Sequence, residues 1–204
     1  MTIKNVVLSS LSLLIFGSAT AQFKAEYGNN ILAVSPLQVS NPGVGFGISY
    51  ERDLDKKGIV SLYLPLAISF ANTDNYNNYY YSYPYPSVKY TTGFFMPGLK
   101  FYPTGSKGKV KYAVGPNLAI VAGQRPVATP VILIYPGPTE IYSMKNRFSL
   151  GTMVFNSLNI NPTPHLNIGL EMGMGVSYID MTDGVNTGMM PFLFQLNAKI
   201  GYRF

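Results

Sequence analysis

The sequence predicts an all-β fold: a closed eight-stranded antiparallel up-and-down transmembrane β-barrel. Three observations predict it. Apolar residues recur at every second position in stretch after stretch, the period of a strand, whose successive side chains point to opposite faces. Charged residues are 12% of the 204, about half the share usual in a soluble domain. Finally, no apolar run is long enough to read as a membrane-spanning helix.

Residues 1–21 stand apart from the fold. Lys4 gives a positive start, and Val6–Phe16 is mostly apolar with Ser9, Ser10 and Ser12 inside it. Ala19-Thr20-Ala21 then fits the small-x-small cleavage rule, so the segment reads as a secretory signal peptide. Residues 22–204 are left as one barrel domain. A buried N-terminal helix is the alternative. Cleavage would remove one Lys and no acid, giving 14 − 9 = +5. That surplus is modest and scattered, which does not argue for nucleic acid. Cysteine is absent, so an exported chain must be held by something other than disulfides; a closed hydrogen-bonded barrel suffices.

The strands follow in order. Residues 30–39 have no clean face and make the weakest strand. In 44–53, Val44, Phe46, Ile48 and Tyr50 oppose Gly45, Gly47, Ser49 and Glu51. In 58–71, Val60, Leu62, Leu64, Leu66, Ile68 and Phe70 oppose Ser61, Tyr63, Pro65, Ala67 and Ser69. Residues 90–102 are noisier, with Phe95, Pro97, Leu99 and Phe101 on one side and Met96, Gly98 and Lys100 on the other. In 110–122, Val110, Tyr112, Val114, Pro116, Leu118 and Ile120 share a face. Residues 147–160 alternate with Asn156 on the apolar side. In 166–180, the even positions from Leu166 to Tyr178 are apolar. In 190–204, Phe192, Phe194, Leu196, Ala198, Ile200, Tyr202 and Phe204 form one unbroken apolar row.

The connections alternate as well. Residues 54–57, 103–109 and 161–165 are short and built from turn formers, whereas 72–89 and 123–146 are long, 181–189 is of middle length, and 40–43 is an exception to the trend. Short turns on one rim and long loops on the other fit a bacterial membrane barrel, as does an even strand count. The polar face is mainly Gly, Ser and Asn, too small and too weakly charged to clothe a soluble barrel. It suits the lumen of an eight-stranded barrel, just wide enough for side chains to fill, and leaves the apolar face for lipid. Aromatic girdles are expected at the two ends, with Tyr202, Phe204, Phe148 and Tyr112 near one rim and Tyr178, Phe70 and Phe192 near the other.

The last strand, with Phe204, Tyr202, Ile200, Ala198 and Leu196 at alternate positions, resembles the C-terminal signal of outer-membrane barrels. The segment "GISYERDLDKKG" at 47–58 also looks like the second strand and turn of such proteins. From about residue 30 to 204 the chain resembles the small eight-stranded bacterial outer-membrane β-barrel proteins. The resemblance implies the outer membrane of a Gram-negative-type cell as location, outer-membrane lipid as surroundings, and the barrel-assembly machinery as reader of the terminal signal. It implies no activity.

Candidate chemistry is sparse. Glu171 and Lys199 should sit at similar depth on neighbouring strands, as a structural ion pair plugging the lumen, because charges buried in a barrel must be paired. Glu51, Lys100, Lys111 and Arg203 should ring the periplasmic mouth. His165, the lone histidine, falls in a turn on that same rim, away from the outer leaflet where a lipid-modifying site would lie. Neither a catalytic group, nor a metal cluster, nor a cofactor motif is expected. The loop at 76–90 is rich in tyrosine (Tyr76, Tyr79, Tyr80, Tyr81, Tyr83 and Tyr85), which offers contact area at low entropic cost to an extracellular partner. The apolar residues within 123–146 suggest a cap over the barrel or the mouth of a hydrophobic-ligand site. The expected role is therefore non-enzymatic, structural or interactive, through loops 72–89 and 123–146. Transport of a small hydrophobic compound is the alternative. Bulky inward residues such as Tyr63, Met96, Met153 and Phe155 speak against an open passage.

Overall fold

The computed structural model describes residues 27–72, 88–131 and 139–204. The signal segment 1–21 and the six tyrosines from Tyr76 to Tyr85 lie outside the described residues. The strands are β1 (Asn30–Ser40), β2 (Gly43–Asp53), β3 (Val60–Asn72), β4 (Lys89–Phe95), β5 (Gly98–Phe101), β6 (Val110–Val131), β7 (Thr139–Ile160), β8 (Leu166–Thr182), β9 (Val185–Asn186) and β10 (Phe192–Arg203).

Each stave pairs antiparallel with its neighbours in the chain, and β1 also pairs with β10, so the sheet closes on itself. β4 and β5 are two halves of one stave, both running between β3 and β6. Pro97 divides them, since it has no N–H for the ladder. The side chain of Asn117 donates to the Met96 carbonyl at the break, at 2.6 Å. β9 is a stub against the end of β8, which leaves eight staves in the ring. Both ends of the barrel, at Asn30 and Phe204, lie on one rim, here called the lower, with the 54–59, 102–109 and 161–165 turns.

One of these turns shows how its sequence sets its shape. Asp55 accepts main-chain hydrogen bonds from Lys57 at 3.0 Å and Val60 at 2.8 Å, and Gly58 takes φ +66°. Chiefly the Val60 N–H holds the Asp55 carboxyl below its ordinary range. The support this gives the turn is complete above the ordinary carboxyl pKa and is lost as pH falls through the lowered one.

The barrel is inside out relative to a soluble protein. Polar side chains outnumber apolar ones among the buried residues, while Leu32, Phe46, Ile48, Leu66, Leu170 and Ile200 are each more than half exposed. Such a belt requires lipid around it. Ile48, at 52% exposure, stands near the middle of β2. We expect Ile48→Arg to cost about 2–4 kcal/mol in urea unfolding of the barrel in phospholipid vesicles. A change within about 0.5 kcal/mol would mean that this face meets water.

Two bulges correct the simple alternation. In β1 the register shifts between Val34 and Leu37 on one side and between Ser35 and Gln38 on the other. Pro36 and Leu37 both point outward there, so Leu32 and Val34 share the outer face with Leu37 and Val39 despite opposite parity. This is why 30–39 shows no clean face in the sequence. In β8 the register shifts opposite Leu150 and Gly151, with Tyr178 as the extra residue. Unbroken alternation would turn Asp180 toward lipid; the bulge turns it inward instead, where it is fully buried.

The expected loop 123–146 is a correction too. β6 and β7 stay paired from Val110↔Ile160 to Val131↔Thr139, so the connection is only 132–138 and the strands rise past their neighbours as a hairpin. Pro126 and Pro130 look like strand breakers in sequence. Yet the even positions of β6 direct their N–H away from β7, as Leu118 does in bonding Pro97. The prolines therefore remove no bond from the β6–β7 ladder. Phe148 is likewise displaced: it pairs with Ala122 and Met181, in the upper part, away from Tyr112, Tyr202 and Phe204.

Candidate functional site: a filled lumen beneath a mouth cavity

The lumen is filled in layers. Lowest, Asp53 accepts from Ser61 at 2.8 Å and from Ser106 at 2.5 Å, and the Lys111 ammonium donates to the Ser106 carbonyl. The Arg203 guanidinium is fully buried, 4.0 Å from Asp53 and facing the ring of Tyr27 at 5.9 Å.

Above this layer sit four buried charges. Glu171 accepts from Lys199 at 2.6 Å, from Lys100, and from the Tyr63 hydroxyl at 2.5 Å. Glu51 accepts from Lys100 at 3.1 Å and from Tyr102 at 2.5 Å, with Lys199 3.7 Å away. The Lys100 ammonium also lies over the Tyr63 ring, 3.5 Å from its centroid. Two acids and two bases make the group neutral, and each acid has at least two donors. Glu51 and Lys100 thus lie with Glu171 and Lys199 rather than in a ring at the mouth. In a sheared barrel, residues equally far from their strand ends differ in height, which strand counting misses. Lys111 and Arg203 lie in the layer nearer the lower rim.

Next comes an apolar layer: Ala67, Phe94, Met96, Ala119, Val121, Met153, Phe155 and Leu193. Phe155 meets Tyr63 edge to face at 6.3 Å, which joins this layer to the charges below.

The upper end of the lumen lies above it. A cavity of about 350 Å³ is floored by Phe94, Val121, Met153 and Leu193 and walled partly by Arg125, Arg147 and Gln195. Arg125 and Arg147 converge on Asp180, at 3.0 and 2.8 Å. The Thr187 main-chain N–H donates to the Asp180 main-chain carbonyl at 2.8 Å. This trio was not visible in the sequence, because only the bulge at Tyr178 brings Asp180 inside. Its one signal was the pair of successive apolar residues Tyr178 and Ile179, where alternation fails.

His165 is engaged structurally: its Nδ1 lies 3.1 Å from the Arg203 carbonyl and its ring stacks on Tyr202 at 5.7 Å. Among the described residues no group of three or more His, Cys, Asp or Glu could hold a metal. Leu196, Ala198, Ile200, Tyr202 and Phe204 form an outward row on β10 and just past it, and Phe204 bonds Asn30 across the closing seam.

Comparison with known proteins follows this geometry. No family model matches the chain. No curated protein matches it either. Solved structures do. A major outer membrane protein from Thermus thermophilus superposes with a TM-score of 0.57 at 12% identity, covering 88% of this chain and 100% of that one. Neisserial surface protein A gives 0.52 at 13% identity, over 86% and 96%. Ail, the attachment invasion locus protein of Yersinia pestis, gives 0.50 at 10% identity, over 88% and 100%. The fold is that of the small outer-membrane β-barrels. The outer-membrane barrel agrees with the outward apolar belt, with the eight staves, and with both ends of the ring on one rim.

Proposed function

We propose that this barrel is a non-enzymatic integral protein of the outer membrane of a Gram-negative-type cell, with a structural or interactive role. It acts through the segment 72–89, which links β3 to β4 on the upper side, and through the β6–β7 hairpin. The observation that carries this reading is the filled lumen. A neutral charge layer and an apolar layer lie in series across it, so the barrel serves better as a mount than as a conduit. Transport of a small hydrophobic compound is favoured by the apolar floor of the mouth cavity, but it requires both layers to move aside. The outward row ending at Phe204 is proposed as the signal that the assembly machinery reads.

Protease treatment of intact cells tests the reading. Cuts should fall within 73–88 and 132–138, in a protein that stays with the outer membrane. Cuts in 54–59 or 102–109, or recovery of the protein in the soluble fraction, would overturn it.

A further inference from the structure

We propose that the cavity in the upper mouth binds a single-chain anionic amphiphile, with its carboxylate held by Arg125 and Arg147 and its hydrocarbon chain lying on Phe94, Val121, Met153 and Leu193. Three observations converge on it. The first is charge. Two guanidiniums face one carboxylate, Asp180, and Lys145 at the rim is already matched by Asp183 at 3.6 Å. Arg125 uses Nη1 on Asp180 and Arg147 uses Nε, which among the described residues leaves most of their ten N–H donors for a second acceptor. The second is an unmatched polar group. Gln195 lines the cavity, is 2% exposed, and carries a side-chain oxygen without a hydrogen-bond partner among the described residues. The third is shape. At about 350 Å³ the cavity is at the small end of ligand sites, suited to one chain rather than two.

Asp180 is what makes the arrangement a site. It holds both guanidiniums and leaves the group one net positive charge, so the donors are in place before a ligand arrives. The apolar floor then gives the chain a surface to cover. Because the lumen beneath is filled, the ligand is held and not passed; in that respect the proposal rests on the reading above.

The chain has no tryptophan, so Tyr90→Trp in the cavity wall provides a single reporter. The protein is placed in nanodiscs of zwitterionic phospholipid and titrated with 10-bromodecanoate, whose bromine quenches tryptophan on contact. Quenching should saturate. It should be about tenfold weaker or more with the neutral 10-bromodecanol, and equally weak with the acid when Arg125→Gln, Arg147→Gln and Asp180→Asn are combined. That triple change leaves no lone buried charge. Leu193→Phe, which fills the floor, should lower the quenching plateau independently. Unsaturated quenching, equal for acid and alcohol, would mean partition into the bilayer and would overturn the site. Ion conductance of the same protein in planar bilayers separates the two readings. Saturable quenching in a conducting barrel keeps the site and sinks the filled lumen; a silent barrel without saturable quenching sinks the site alone.

Discussion

Replacing Glu171 by alanine should lower the unfolding free energy of the barrel by about 3–5 kcal/mol, because it strands buried cations. Glu171 is the centre of the charge layer, taking Lys199, Lys100 and the Tyr63 hydroxyl on its two oxygens. Without it, two ammonium groups face only Glu51, at 3.1 and 3.7 Å. One of them is left uncompensated, with no water-exposed surface to retreat to. The effect is that of breaking the set, not the worth of the set itself. Replacing Glu51, Lys100, Glu171 and Lys199 together by uncharged residues of similar volume should cost much less than the single change, or nothing. Urea unfolding in lipid vesicles, followed by tyrosine fluorescence, measures both. A loss under about 1 kcal/mol for Glu171→Ala would show that the charges are hydrated and that the layer is not closed.

The second large effect is on permeation. Two barriers in series cannot be opened one at a time. Phe155→Ala removes the more deeply buried of the two rings in the apolar layer, yet the charge layer remains below it. Replacing Lys100 and Glu171 by Ser removes a matched pair, yet Phe155, Met96 and Met153 remain above. Each variant alone should therefore stay electrically silent in planar bilayers, while the combined variant should show discrete conductance steps. The non-additivity is the signature, since each layer suffices alone. Steps from either variant by itself would mean that only one layer seals the lumen. Silence in the combination would place the seal elsewhere, with Arg203 and Lys111 in the lowest layer as the next residues to change.

Most of the architecture could be read from period-two patterning, because one face of nearly every strand is uniformly apolar and a slip by one residue would put it in the wrong medium. What could not be read has a physical cause in each case. The bulges at Pro36 and Tyr178 are defined by a partner strand carrying one residue fewer, which no single stretch of sequence records. Pro126 and Pro130 signal a loop until it is known that their missing N–H groups would face away from β7. Glu171 and Lys199 could be placed together because their strands are neighbours with a simple register. Glu51 and Lys100 could not be placed with them, because they reach the same point from β2 and β5, across the lumen. The Arg125–Asp180–Arg147 group depends on both failures at once: an extended hairpin and a bulge.

The seam between β1 and β10 has a consequence in time rather than in energy. Every other stave meets a neighbour adjacent in the chain, but this pair joins Ile31 to Arg203, and Asn30 and Phe204 exchange two main-chain hydrogen bonds of 2.9 Å. No hairpin prepares that contact, so closure waits until the whole length of the chain is in place, and folding is correspondingly slow. The same circularity acts in reverse. A ring cannot fray from an end, since within the belt it has none, and it must part along an entire strand before any stave is released. Once shut, such a barrel persists by the height of a barrier, and its lifetime is set by an opening rate.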